Sequence, residues 1–321
     1  MPPSARVTRP RIVATRRFPP TVEAALSSAF DAVLSTDDHT FTAAELQRAL
    51  GEADGILCAI GDRFTAEVLA AYPLRARIIA SFGVGLDHID LAAAAAHDIV
   101  VTNTPDVLTE DTADLALTLI LMTMRRAGEG ERELRGGRWT GIRPTHLLGR
   151  RVTGATLGII GAGRIGRALA RKAHHGLGMR VLLWGRSMPS PEELARLGAE
   201  AAPSLDALLA ASQVVSLHVP GSPDTERLID ARRLALMPRG AVLVNTARGG
   251  VVDQDALITS LLAGHLAGAG LDVYPHEPQV DRRLLGMEQV VLLPHIGSAT
   301  LETRTAMGEM AVGSLREFFE V

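Results

Sequence analysis

The residues Thr156–Ile160 form an apolar run that leads directly into Gly161-Ala162-Gly163-Arg164-Ile165-Gly166 and then into a helical pattern over 167–173. A Gly-x-Gly-x-x-Gly run alone carries little information. Between a strand and a helix it dictates a strand–turn–helix unit suited to one task. Gly161 permits the tight turn, Gly163 lets the backbone approach a pyrophosphate, and Gly166 lets helix and strand pack closely. The helix N-terminus then offers N–H groups and a partial positive charge to phosphate oxygens. The segment predicts a dinucleotide-binding βαβ unit; the competing reading is a glycine-rich structural turn.

The rest of the chain extends this pattern. Short β-branched runs at 11–15, 31–35, 55–60, 77–81 and 99–103 alternate with helical patterns near 22–29, 42–50, 65–71 and 91–97. A longer helix is expected from near Glu110 to Gly136-Gly137, with cap candidates at 106–109. A loop over 138–148 leads to a second series of strands at 155–160, 180–184, 213–217, 241–245, 267–271 and 289–293. The helical segment 301–319 closes the chain. Strand–helix–strand spacing of this kind means parallel sheets. With 321 residues, two α/β domains are the simplest partition, and the last helix can fold back onto the first.

Composition excludes several classes. Hydrophobic residues make up 47% and aromatics only 3%, a mixture that suits helices on a buried parallel sheet. The net charge is −3 with both signs interspersed, so neither nucleic acid nor a membrane surface is expected as a partner. The longest apolar stretch, 115–124, is far short of a membrane span. The basic N-terminus (Arg6, Arg9, Arg11) lacks the apolar core of a signal peptide, and Cys58 is the only cysteine. Cys58 reads as a small buried hydrophobe, and a cytoplasmic setting is expected.

Three later segments place charged residues at the ends of expected strands, where ligands bind in open parallel sheets. Asn245-Thr246-Ala247-Arg248-Gly249-Gly250 ends one. Leu271-Asp272-Val273-Tyr274-Pro275-His276-Glu277-Pro278 follows the next, and Leu293-Pro294-His295-Ile296-Gly297-Ser298 follows the last. An Arg, an acid and a His there could converge on one cleft. Arg248 would bind a carboxylate through its planar fork. Hydride addition to a ketone builds negative charge on oxygen, and His295 suits proton donation there. Glu277 would favour the protonated ring and fix its tautomer. The bland alternatives are a strand-end surface charge, a loop acid and a structural histidine. His218 also ends a strand near the cofactor cleft. His174-His175 lacks companions at ligand spacing, so no metal site is expected.

Cofactor choice is also readable. NAD-binding folds usually place Asp or Glu about 20 residues after the glycines, on the ribose 2′-OH. Here that position holds Gly185 and Arg186, followed by Ser187. Arg186 would attract a 2′-phosphate and Ser187 could add a hydrogen bond, so NADP(H) is the expected cofactor, with NAD(H) as the alternative.

Taken together, these segments resemble the D-isomer-specific 2-hydroxyacid dehydrogenase family over about residues 78–298. Ser81-Phe82-Gly83-Val84-Gly85-Leu86-Asp87-His88-Ile89-Asp90 is similar to its substrate loop, and 103–114 to the entry to its cofactor domain. Segments 153–166 and 215–225, with those around Arg248, Glu277 and His295, complete the set. The resemblance implies two Rossmann-like domains with parallel sheets. A nicotinamide-dinucleotide domain (105–297) would be inserted in a flavodoxin-like substrate domain (1–104, with 298–321 returning to it). It implies reduction of a small 2-keto acid to the 2-hydroxy acid, with His295 as proton donor, Glu277 as its partner and Arg248 as carboxylate anchor. Val84 and Gly85 would meet substrate through backbone N–H groups. Arg164, Ile165, Thr225, Thr246, Asp272, Gly297 and Thr112 would line the cofactor, with Asp272 near the nicotinamide amide. Residues 106–148 resemble the family's dimerisation region, so a homodimer is expected.

Within the family, residues 138–145 look most like the glyoxylate and hydroxypyruvate reductases, many of which carry a second Trp where this chain has Ile142. The short tail speaks against the longer phosphoglycerate dehydrogenases. Two further readings stand beside this one. One is a reductase of bulkier 2-keto acids. The other is a dinucleotide-sensing binding protein like the corepressors that share the fold, against which the absence of peptide-recruiting extensions argues.

Overall fold

Runs of Val, Ile and Leu without alternation belong to strands covered on both faces, and the chain builds two sheets of such strands. The computed structural model describes residues 9–70 and 73–321. Arg6, and the end of the helix expected at 65–71, lie outside the described residues. The chain divides into two units. One comprises the described residues through Leu108 together with Ala299–Val321, and the other is Thr109–Ser298.

The first unit runs β1 (Arg11–Ala14), α1 (Pro20–Ala29), β2 (Asp31–Val33), α2 (Ala43–Glu52), β3 (Gly55–Ala59), α3 (Ala66–Ala70), β4 (Ile78–Phe82), α4 (Leu91–Ala96) and β5 (Val100–Thr102). Its strands are parallel, in the order β2-β1-β3-β4-β5. All five residues of β4 are buried, and Cys58 in β3 is fully buried. Burial pushes the Cys58 thiol pKa well up, which keeps the sulfur protonated. The helix Leu301–Phe319 returns to this unit: Met307, Ala311, Val312 and Leu315 join Ile12, Val22, Leu26 and Ile78 in one core.

The second unit contains α5 (Thr109–Met124), α6 (Ala127–Arg135), β6 (Thr156–Ile160), α7 (Arg164–Leu177), β7 (Arg180–Trp184), α8 (Pro191–Leu197), β8 (Ala199–Ala201) and α9 (Leu205–Ala211). It continues through β9 (Val214–Leu217), α10 (Ala231–Leu236), β10 (Ala241–Asn245), α11 (Gln254–Leu262), β11 (Leu266–Leu271), α12 (Arg282–Leu285) and β12 (Val290–Leu292). The seven strands are parallel, in the order β12-β11-β10-β9-β6-β7-β8. The order reverses between β9 and β6, and ligands bind at the carboxyl ends beside such a switch point.

Two elements differ from the sequence reading. The helix expected through Gly136-Gly137 is broken: Arg126 takes a left-handed conformation (φ 52°) between α5 and α6. Its guanidinium pairs with Glu129 at 2.7 and 2.8 Å. The apolar face that α5 buries stops at Met124, and the polar, glycine-containing sequence that follows has no core to continue along. Strand β8 was not anticipated, because Ala-Glu-Ala has none of the β-branched character of the inner strands.

The chain's single lysine, Lys172 on α7, pairs with Glu110 at 2.8 Å and also with Asp114, both on α5. Burial pulls its amine pKa down, and the two carboxylates more than reverse this. Among the described residues no helix is long and apolar enough to cross a membrane.

Candidate active site

The phosphate loop follows from three glycines, each for its own steric reason. Gly161 has φ 113°, and a Cβ there would lie 2.4 Å from the His218 carbonyl oxygen. A Cβ at Gly166 would lie 2.0 Å from the Gly161 carbonyl oxygen. Gly163, by contrast, faces open space and caps α7 with no side-chain hydrogen bond. The first N–H groups of a fourteen-residue helix thus point past a residue without a side chain. Arg164 is exposed beside them, and Ile165 packs partly into the core. Thr246, just after β10, adds a buried hydroxyl with no hydrogen-bond partner. Such an orphan needs a ligand or water to satisfy it. These features fit a nicotinamide dinucleotide.

The acid and histidine segments meet in one network. His295 Nδ1 lies 2.7 Å from Glu277 Oε2, with the two side chains 30% and 33% accessible. Glu277 Oε1 accepts the Tyr274 N–H at 2.9 Å. Burial pushes the Glu277 carboxyl up, but His295, the Tyr274 N–H and the Arg248 charge outweigh it, so its pKa sits below the ordinary value. An ionised Glu277 accepts a hydrogen bond from Nδ1–H, which leaves Nε2 to face a reactant.

The backbone at His295 is itself unusual, with φ 53°. A left-handed conformation at a non-glycine residue persists only where its surroundings over-determine it. Asp272 does this. Its carbonyl accepts the His295 N–H at 2.9 Å, and its buried carboxylate accepts the N–H groups of Ile296 (2.8 Å) and Gly297 (2.9 Å). Both oxygens expected beside the nicotinamide amide are thus engaged by the histidine loop. Burial raises the Asp272 pKa against the pull of those N–H groups. Thr112 completes the clamp by donating to the Gly297 carbonyl at 3.2 Å.

Arg248 stands on a loop held by Asn245. That side chain accepts the Ala247 N–H at 3.0 Å and donates to the Arg248 carbonyl at 2.9 Å. Arg248 donates to the Ala247 carbonyl, and its aliphatic stem lies over Gly221. Gly249 packs so closely on the Glu277 segment that a Cβ would lie 2.0 Å from the Tyr274 carbonyl carbon. Tyr274 ties the segments further, donating to the carbonyls of Leu293 (2.9 Å) and Leu271 (3.3 Å). Asn245 and Tyr274 escaped the sequence reading, since neither carries chemistry of its own.

The remaining expected residues take no part in these hydrogen bonds. Thr225 turns its hydroxyl inward, to Pro220 (2.6 Å) and Ser222 (3.0 Å). Arg186 and Ser187 are exposed after β7. Val84 and Gly85 belong to the first unit, where Asn103 donates to the Val84 carbonyl at 2.9 Å. His218, after β9, bonds Ser216 at 2.8 Å, and burial holds its pKa down at about 4. Its ring is neutral at physiological pH, so it is no rival to His295 as a proton donor.

Known proteins carry the same plan. Residues 117–297 match the family described as D-isomer specific 2-hydroxyacid dehydrogenase, NAD binding domain. A glyoxylate reductase from Thermococcus kodakarensis is 43% identical over 314 residues, 97% of this chain and 93% of its own length. A glycerate dehydrogenase from Hyphomicrobium methylovorum is 35% identical over 95% of this chain and 94% of its length. Among solved structures, an NADPH-dependent glyoxylate/hydroxypyruvate reductase from Sinorhizobium meliloti, in complex with NADP and malonate, superposes with a TM-score of 0.85. It is 37% identical, with 97% of this chain and 94% of that one covered. A dinucleotide loop with a carboxylate-backed histidine, likenesses that span nearly the whole chain and a matching family model lead to one conclusion. The chain belongs to the D-isomer-specific 2-hydroxyacid dehydrogenases, oxidoreductases that act on CH–OH groups with a nicotinamide dinucleotide.

Proposed function

We propose that this enzyme reduces glyoxylate or hydroxypyruvate to the 2-hydroxy acid with NADPH, His295 donating the proton. The 2.7 Å contact between His295 Nδ1 and Glu277, with Arg248 close enough to stabilise the carboxylate, carries this reading. Arg248 binds the substrate carboxylate and orients the ketone. His295 Nε2 delivers a proton to the carbonyl oxygen as negative charge grows there. Glu277 stabilises the imidazolium before transfer and keeps the proton on Nδ1 afterwards. The Gly161–Gly166 loop, Arg164, Ile165, Thr225 and Thr246 would hold the dinucleotide, which would supply the hydride when bound in its reduced form. Asp272, Thr112 and Gly297 hold the conformation of the histidine loop. A panel of 2-keto acids tests the assignment, with glyoxylate or hydroxypyruvate expected to give the highest kcat/KM. Preference for a bulkier keto acid refutes it.

For cofactor choice, the exposed Arg186 has no carboxylate paired to it among the described residues, and it is available to a 2′-phosphate. An acid at position 185 would be the obvious reversal. However, a Cβ there would lie 2.8 Å from the Ala162 backbone nitrogen, so it would displace the phosphate loop. Arg186→Ala is the cleaner variant. Charge-assisted hydrogen bonds are worth about 1.5–3 kcal/mol, so the NADPH/NADH ratio of kcat/KM should fall roughly 10- to 100-fold. A wild-type ratio at or below one, or one that Arg186→Ala leaves unchanged, removes Arg186 from cofactor selection.

The arm that follows α6 displays Trp139 (51% accessible), Ile142 (94%) and Leu148 (64%). Apolar side chains this exposed call for cover. A second copy related by two-fold symmetry supplies it. Light scattering at assay concentration should give twice the chain mass, and a monomer mass refutes the dimer.

A further inference from the structure

The loop between β4 and α4 is closed from beneath by a buried polar contact. Ser81 (1% accessible) and His88 (8%) bracket residues 82–87, and Ser81 Oγ lies 3.3 Å from His88 Nε2. The rest of the loop shows what this contact protects. The carbonyls of Gly83 and Val84 are taken, by the Thr104 N–H at 2.9 Å and the Asn103 side chain at 2.9 Å. The Ser81 and Leu86 carbonyls accept the Gly83 and Ile89 N–H groups, both at 3.0 Å. Among the described residues no hydrogen bond uses the N–H of Val84 or Gly85. The Val84 and Gly85 donors thus remain beside carbonyls that are already engaged.

Both ends of the loop are rooted. Phe82 is buried, its ring edge-on to Phe18 at 5.1 Å. The His88 carbonyl accepts the Phe64 N–H at 2.9 Å, and the Asp90 N–H returns to the Phe64 carbonyl at 2.8 Å. Between these anchors, the Ser81–His88 contact links side chains across the loop's base, and the Cys58 thiol of β3 also hydrogen-bonds Ser81. A buried hydroxyl and a buried imidazole are costly unless they satisfy each other. Their pairing therefore selects the loop geometry in which they meet.

We propose that the Ser81–His88 pair positions the Val84–Gly85 loop, holding its two N–H donors at the spacing that receives the carboxylate of a 2-keto acid. This rests on the reading that Val84 and Gly85 bind that carboxylate. Neither Ser81 nor His88 touches substrate; each acts through the loop.

The test compares Ser81→Ala, His88→Leu and the double variant with wild type. It measures kcat, KM for glyoxylate and KM for NADPH. Losing one net hydrogen bond corresponds to about three- to tenfold. KM for glyoxylate should rise by that factor in each single variant, with kcat and KM for NADPH little changed. The double variant should cost less than the product of the two single effects, because the Ser81–His88 contact is lost only once. Ser81→Cys, which keeps the shape and weakens the bond, gives an intermediate KM and serves if the alanine variant does not fold. Unchanged KM for glyoxylate with a lowered Tm overturns the proposal, as do fully additive effects. Val84→Pro, which deletes one N–H, separates the two readings. If it leaves KM unchanged, the loop does not bind the carboxylate. If it raises KM while the Ser81 and His88 variants do not, the loop binds and only the positioning role fails.

Discussion

Replacing His295 with alanine should lower kcat about 10²- to 10⁴-fold, the usual contribution of a positioned proton donor, while the dinucleotide still binds. The separation follows from where the residues stand. The phosphate loop lies between β6 and α7, whereas the His295 side chain hydrogen-bonds Glu277. His295→Ala leaves the backbone of the histidine loop pinned by Asp272, so the loss should appear in turnover rather than in folding. Reduction consumes the proton that His295 delivers, and Glu277, held below its ordinary pKa by His295, the Tyr274 N–H and Arg248, favours the carboxylate form that backs the ring. Stopped-flow and steady-state rates, with NADPH binding followed by fluorescence, check both halves. A variant keeping more than half of wild-type kcat would remove His295 as the donor.

Arg248→Lys should raise KM for the keto acid roughly 10- to 100-fold although the charge is kept. A lysine ammonium is a point donor, whereas a guanidinium meets both carboxylate oxygens with a rigid fork. The site makes that geometry matter. Asn245 grips the backbone on both sides of Arg248, and the close packing of Gly249 on Tyr274 stops the loop from shifting to compensate. A shorter reach therefore cannot be recovered by movement of the backbone. KM for NADPH should change less than threefold. The reverse pattern, with cofactor KM raised and keto-acid KM unmoved, would make Arg248 a cofactor residue.

The sequence exposed the sheets because an inner parallel strand has no solvent face to encode. Runs such as 55–60 and 157–160 carry no polar side chain, and a glycine follows each. Edge elements lacked that signal: β8 is Ala-Glu-Ala, and the break at Arg126 depends on where the core ends, which no local pattern records. The site divides along the same line. Arg248, Glu277 and His295 stand out because their side chains carry charge or protons at strand ends. Tyr274 and Asn103 do not, because they bond distant main chain that only the fold brings near, and Asn245 does not, because it holds its own loop through uncharged bonds two and three residues on. Asp272 is the instructive case. Its carboxylate suggested a ligand contact, and the fold engages both oxygens in holding a strained loop.

Lys172 gives this molecule one side-chain amine against thirty-two guanidinium groups. A protease that cuts only after lysine therefore has one internal bond to attack. That bond lies within α7, the helix that begins at the phosphate loop. In the folded chain the helical backbone and the Glu110 and Asp114 carboxylates shield it. Cutting then waits on opening of the second unit, and when cleavage is slow relative to reclosing its rate measures the open population. A dinucleotide bound at the loop would lower that population by mass action. Occupancy of the cofactor site could thus be read without any turnover, from the appearance of two fragments.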